Sequence, residues 1–376
     1  MKLALVCDWL TAMRGGERCL EAACTLYPRA EIYTLVHEPG RVSPAIESHP
    51  IHTSYIQRLP GDTHTFRRYL PLFHHAIQRF DLSGYDAVLS FSHCVAKDVR
   101  VPAGIPHICY CHTPMRYAWT LRDAYLQPYS HLQRSLAEAW LNYMQRQDRQ
   151  AAQGVTHFVA NSHHVRQRIE AAYGRTAEVL YPPIDLDRFS VTADHDGTYL
   201  VVSALVPYKR IDLAVLAFKG WNRRLRIVGH GPEQDRLRSM ASDNIEFIEQ
   251  ATDAEVAGHY QRCRALIFPG LEDFGMVPLE VQACGKPVIA FGRGGALETV
   301  RAVNHPSDAV VPEQATGLFF FEQHGKALRQ AIHLFETQEA TIRPTSCRHQ
   351  AERFSRHYFV EGLQRIMTDW KLAVSE

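Results

Sequence analysis

The sequence predicts two doubly wound α/β domains of similar size. Three observations carry this reading. The chain has 376 residues, 46% of them hydrophobic, enough to build a core in each of two domains. Strand-like stretches alternate with helical ones in two separate series. Between the series, YPPIDLDRF (181–189) and then TADHDG hold paired prolines and an Asp-rich turn, the composition of a linker.

In chain order, LALVC (3–7) reads as a buried strand, followed by a Gly-Gly loop and a helix from about Glu17. EIYTLV (31–36), DAVLSF (86–91), HICYCH (107–112) and THFVANS (156–162) are further strands. Helical segments between them imply βαβ units and a parallel sheet. After the linker the pattern restarts with TYLVVSAL (198–205), RLRIVG (224–229), NIEFI (244–248), ALIFP (265–269) and PVIAFG (287–292). RFSRHYFVEGLQRIMTDWKLA (353–373) reads as a long amphipathic helix with no strand after it. The expected boundaries are 1–185, 195–350 and a terminal segment 351–376.

Composition excludes several function classes. A net charge of +1 gives no basic field for nucleic acid. The 9 cysteines lack repeating spacing, and the Cys109/Cys111 pair has no second pair to complete a zinc site. They read as reduced, buried thiols of a cytosolic protein. MKLALVCDWL is too short an apolar run for a signal peptide and reads as the first strand. No apolar run is long enough to span a bilayer. The D-x-D at Asp185–Asp187 follows two prolines and reads as turn and cap chemistry. The histidine pairs 74–75 and 163–164 lack metal-ligand spacing, and no G-x-S-x-G appears.

The most informative stretch is FPGLEDFGMVPLEVQACG (268–285). Pro278 suits a first helical turn, so a helix is expected from about Val277–Pro278 to a cap at Gly285. The amides of Gly275, Met276 and Val277 then lack helical partners and form an anion site. Glu272 lies in the loop and Glu280 in the first turn, one on each side of that site. Two carboxylates beside a phosphate repel it unless each binds something neutral. Sugar hydroxyls meet that need, and the ligand implied is a nucleoside diphosphate sugar.

EDFGMVPLE resembles the E-x7-E signature of retaining glycosyltransferases of family 4, the glycosyl transferases group 1 of the GT-B fold, and GKPVIAFGRGGALETV continues the family pattern. The resemblance implies two Rossmann-like domains facing a cleft, with the C-terminal helix crossing back to the N-domain. It implies Glu280 on the nucleotide ribose, Glu272 on the transferred sugar, and the amides between them, beside Phe274, on the distal phosphate. In SALVPYKRIDLAV (203–215), Lys209 and Arg210 stand at a strand-to-helix junction, where a cation can neutralise a departing diphosphate. Ala204 occupies the position where the family usually has arginine. In GHGPEQDRL (229–237), Gly229 and Gly231 are expected to let a ligand approach, and Ile248 is placed on the same donor side. FGRGGALE (291–298) is either a loop cap or a phosphate or sugar contact.

YCHTPMRYAW (110–119) is similar to the H-T-P-x-R-Y-x-W segment of mannosyltransferase-like members. This implies that His112 faces the transferred sugar across the cleft, with Arg116 on the acceptor side. Thr120 stands where an Asp is often seen. MRGGER (13–18) resembles the family's G-G-x-E loop and puts Gly15 and Gly16 near the donor phosphate and the acceptor, with Asp8 also on the acceptor side.

The function expected is a retaining, metal-independent hexosyltransferase with no cofactor. It would move mannose from GDP-mannose to a glycan or lipid-linked acceptor in surface polysaccharide or lipopolysaccharide synthesis. The alternatives are a non-catalytic nucleotide-sugar-binding subunit and a GT-B epimerase. THTFRRYLPLFHHAIQRF (63–80) and QRSLAEAWLNYMQRQDR (133–149) are either ordinary surface helices or contacts to an anionic leaflet. The expected location is cytoplasmic, with peripheral contact to the inner face of the plasma membrane.

Overall fold

The computed structural model describes residues 2–61, 65–120, 122, 126, 131–304 and 312–373. The chain divides into two compact units, Met1–Pro183 with His357–Glu376, and Ile184–Arg356.

The first unit holds a seven-stranded sheet of β1 (Leu3–Cys7), β2 (Glu31–Thr34), β3 (Ile51–Thr53), β4 (Ala87–Ser92), β5 (His107–Cys111), β6 (His157–Ala160) and β7 (Ala177–Val179). Its order is β3-β2-β1-β4-β5-β6-β7, and every pairing is parallel. β1 and β4 are buried along their whole length, as central parallel strands with helices on both faces must be. The register sets Leu5 beside Ile32 and Leu89, and Tyr110 beside Phe91 and Val159. The helix Arg356–Ala373 completes this unit. Phe359, Leu363, Ile366 and Met367 join the core that contains Leu3, Leu5 and Tyr110. The Phe359 ring meets Tyr110 edge-on at 5.5 Å.

The second unit holds β8 (Thr198–Val202), β9 (Arg224–Val228), β10 (Ile245–Ile248), β11 (Ala265–Phe268), β12 (Val288–Phe291) and β13 (Gly317–Phe320). They form a parallel sheet in the order β10-β9-β8-β11-β12-β13. The stretch after Pro183 packs on this unit rather than hanging as a linker. Ile184 donates to the Phe354 carbonyl at 2.8 Å and Thr192 to that of Cys284 at 3.1 Å. Asp185 precedes a short turn, Leu186–Arg188, without a side-chain cap bond, so the D-x-D is a turn but not a cap. The chain returns to the first unit at His357, because the helix Pro344–Glu352 packs on the helix Met276–Ala283 of the second.

Both sheets reverse their winding order, between β1 and β4 and between β8 and β11. In doubly wound folds, ligands bind at the carboxyl ends of strands beside such a reversal. The cysteines are free and buried. Among the described residues no helix is long and apolar enough to cross a membrane.

Candidate functional site

In the second unit, β11 ends at Phe268 and the chain loops to the helix Met276–Ala283. Gly275 caps that helix at φ +99°, a conformation that residues with a side chain rarely adopt. Pro278 is the third helical residue, where its missing N–H breaks no helical bond. Among the described residues, no hydrogen bond takes up the amides of Gly275, Met276 or Val277. These N–H groups sit at the positive end of the helix dipole.

The helix starts at Met276, earlier than expected, and this moves Glu280 from the first turn to the second. Glu280 is therefore not an acid answering the helix end. Its carboxylate accepts from the Tyr260 hydroxyl at 2.8 Å. Burial, and then the Glu280 charge, push the Tyr260 phenol well up, so its hydroxyl stays a donor.

Glu272 is buried and ion-pairs with Lys209. Lys209 ends the short turn Pro207–Lys209. Arg210 follows at φ +54°, the only non-glycine residue with positive φ among those described. Asp212 grips its guanidinium with bonds of 3.1 and 3.2 Å. Arg210 is thus engaged at the start of its own helix, and Lys209 is the cation set against Glu272. Ala204 is exposed on the same β8 loop.

The glycine-rich turn after β12 supports the Glu272 loop. The Gly295 amide donates to the Glu272 carbonyl at 2.9 Å, and a Cβ at Gly295 would lie 2.3 Å from Phe274 Cα. The turn is therefore a backbone stitch between two loops. Phe274 is buried, with its ring 5.7 Å from that of Phe354, so it meets the site through its main chain. Gly229 donates to the Ile248 carbonyl at 2.8 Å. A Cβ at Gly229 would be 2.0 Å from the Ser203 carbonyl oxygen, and one at Gly231 would be 2.4 Å from that of Leu205. Neighbouring main chain fills the space on the side of each glycine where a Cβ would stand.

In the first unit, Gly15 and Gly16 are not a loop ahead of the helix. The helix Gly15–Leu26 begins with them. A Cβ at Gly16 would lie 3.3 Å from His112 Nε2, so the helix start and this ring pack together. The His112 amide donates to the Ser92 carbonyl at 2.8 Å. Arg116 is half-buried in the turn after β5, and the Thr120 hydroxyl accepts from Arg168 at 2.7 Å. Glu17 is buried and accepts from the Arg14 amide at 3.0 Å, and burial pushes its carboxyl up.

Asp8 is 1% exposed and accepts from the amides of His93, Cys94, Val95 and Ala96 at 2.6–3.0 Å. His93 Nδ1 lies 2.9 Å from Asp8 Oδ2. Burial pushes the Asp8 carboxyl up, but His93 and the amides outweigh it and hold it at about 2. Asp8, expected on the acceptor side, anchors the loop after β4 through these bonds. Sequence reasoning missed two residues here. His93 is visible as a polar residue directly after a central strand, where ligand loops begin. Tyr260 gave no signal, being 20 residues from Glu280.

Two doubly wound units in one chain make a GT-B fold. The chain is similar over 99% of its length to all of sucrose-phosphate synthase from Thermosynechococcus elongatus (TM-score 0.73, 16% identity, 100% of that chain). HepE of Anabaena, solved in complex with UDP, is similar over 98% of this chain and 100% of its own, with a TM-score of 0.69 and 17% identity. Residues 13–188 match the model for Glycosyltransferase Family 4, and residues 184–354 that for Glycosyl transferases group 1. The chain belongs to this family of glycosyltransferases. It is 32% identical to the GDP-mannose-dependent alpha-(1-6)-phosphatidylinositol monomannoside mannosyltransferase of Mycolicibacterium smegmatis, over 37% of this chain and 45% of that protein. It is 33% identical to the D-inositol 3-phosphate glycosyltransferase of Frankia alni, over 33% of this chain and 38% of that protein. The chain thus spans less than half the length of these relatives.

Proposed function

We propose that the protein is a retaining hexosyltransferase that moves mannose from GDP-mannose to a glycan or lipid-linked acceptor, without a metal, in surface polysaccharide or lipopolysaccharide synthesis. The observation that carries the reading is the helix start at Gly275, with open amides between Glu272 and Glu280. The amides and Lys209 take the charge of the diphosphate. Glu280, braced by Tyr260, accepts from ribose hydroxyls. A diphosphate gives Lys209 a second anion, which frees a Glu272 oxygen for hydroxyls of the sugar. In front-face attack the departing phosphate takes the acceptor proton, and the protein's work is positioning and charge stabilisation. Mannose and GDP are preferred from the YCHTPMRYAW stretch and from the name of the M. smegmatis relative.

A second reading, a subunit that binds nucleotide sugar without transferring it, is favoured by Ala204 together with the Arg210–Asp212 pair. Calorimetric titration of GDP, UDP and ADP, paired with GDP-mannose hydrolysis, separates the readings. Expected are GDP binding that is lost in Glu280→Ala and Lys209→Ala, and slow hydrolysis. Preferred UDP binding overturns the donor. Binding without hydrolysis supports the second reading, and binding of none of the three overturns the donor site.

Contact with an anionic leaflet is supported by the exposure of Leu72, Leu136 and Tyr143 on the helices Leu70–Ile77 and His131–Gln153. Residues 63–64 of the first stretch lie outside the described residues. Co-sedimentation with anionic but not neutral vesicles is expected, and its absence refutes the contact.

A further inference from the structure

A small pocket of about 10 Å³, room for one hydroxyl or water, lies at the carboxyl end of β1 and is lined by Trp9, Gly16, Glu17, His93 and His112 among others. The orientation and tautomer of the His93 ring are set from behind. It follows directly on β4, beside the point where the sheet reverses its winding. Its amide donates to Asp8 Oδ2 at 2.7 Å, and its Nδ1 lies 2.9 Å from the same oxygen. Asp8 is buried and ionised, and an ionised carboxylate can only accept. The hydrogen between them therefore sits on Nδ1, and in the neutral ring Nε2 carries the lone pair. The ring meets Trp9 edge-on at 4.4 Å and His112 at 6.4 Å, so it cannot swing freely. Its side chain is still 36% exposed.

A fixed imidazole with its lone pair at a pocket wall is a seat for an O–H donor. Resting on the hexosyltransferase reading, we propose that His93 receives the acceptor alcohol: Nε2 accepts a hydrogen bond from a sugar hydroxyl beside the one that attacks, which leaves the attacking hydroxyl its own hydrogen for the departing phosphate. Asp8 is a positioning residue that fixes the tautomer and the ring. No proton is transferred to His93 in this role. It orients the nucleophile, and orientation of this kind is worth about 100-fold in rate. The ligand class is a sugar alcohol, and the pocket lies on the first unit.

The test compares the full chain with His93→Asn, which keeps a donor toward Asp8 but lacks Nε2, and with His93→Gln, which places an amide where Nε2 lies. GDP affinity and melting temperature report the donor site and the fold. GDP release from GDP-mannose, with methyl α-D-mannoside as the alcohol probe, reports the acceptor step. In His93→Asn we expect unchanged GDP affinity and melting, with kcat/KM for the mannoside down about 100-fold. His93→Gln should recover part of that loss. An unchanged rate in His93→Asn, or a loss of GDP affinity in step with rate, overturns the proposal. Should the wild type fail to use this alcohol, spectra with ¹⁵N-labelled histidine decide. The proposal requires hydrogen on Nδ1 and an Nε2 signal that shifts when mannoside is added. Hydrogen on Nε2, or no shift, overturns it. Failure of the wild type to bind GDP overturns the donor reading, and these spectra then judge His93 separately.

Discussion

Gly295→Ala tests the stitch that holds the Glu272 loop. The new methyl would sit 2.3 Å from both Cα and the carbonyl oxygen of Phe274. Backbone cannot rotate away as a side chain can, so one loop must move by about 1 Å to restore van der Waals contact. That movement breaks the 2.9 Å bond from the Gly295 amide to the Glu272 carbonyl, worth about 1 kcal/mol. Overpacking adds about 1–3 kcal/mol. The sum is roughly 2–4 kcal/mol, which lowers the melting temperature of a domain of this size by roughly 5–15 °C. The displaced segment leads straight to the amides of 275–277, so GDP affinity should fall about tenfold, or 1.4 kcal/mol. Scanning calorimetry and GDP titration read the two effects. Gly84→Ala is the control, since its Cβ would find nothing nearer than Lys2 Nζ at 3.8 Å. Melting and GDP affinity in Gly295→Ala equal to those of the control would show that this stitch does not hold the Glu272 loop.

Other consequences are independent of the ligand. Burial, and then the Lys97 charge, push the His107 imidazole down to about 3. Its folded value lies below the unfolded value near ~6.5, so its stabilisation is complete above that pH and is lost as pH falls toward the folded value. Urea unfolding should therefore show wild type losing up to about 1.4 kcal/mol per pH unit relative to His107→Gln across that window. Lys97 is buried and ion-pairs with both Asp98 and Asp148, and Asp148 also accepts from Trp119 and Tyr173. Lys97→Met strands two buried carboxylates and should cost about 3–5 kcal/mol by urea midpoint, with partial recovery in Lys97→Met/Asp148→Leu. Phe359→Ala empties the contact of the last helix with Tyr110 and should cost about 3–5 kcal/mol by thermal melting.

The central strands were legible because burial on both faces makes them continuous apolar runs. β3 was not: Ile51 is half-buried, and His52 and Thr53 are exposed at the sheet edge. β7 is a half-buried edge strand with no apolar run either. β13 opens with a glycine that reads as a breaker, yet a Cβ there would lie 1.9 Å from the Val288 carbonyl oxygen. At the site, Pro278 and Gly275 gave the helix start to within a residue, and that residue changed the turn on which Glu280 falls. Gly229 and Gly295 were visible as positions of close approach. A glycine reads the same whether a phosphate or another loop approaches it, so the sequence does not say what fills the space. The Asp8–His93 and Lys97–Asp148 pairs join residues 85 and 51 positions apart, and no local pattern reports such a meeting.

In the proposed donor site, the helix start at Gly275 receives the diphosphate of the donor. The most direct measurement is the ¹H–¹⁵N spectrum of the full chain, labelled at glycine and methionine, titrated with GDP and separately with guanosine. GDP should move the Gly275 and Met276 amide signals, and guanosine should leave them in place. Equal shifts with guanosine, or none with saturating GDP, would contradict that site.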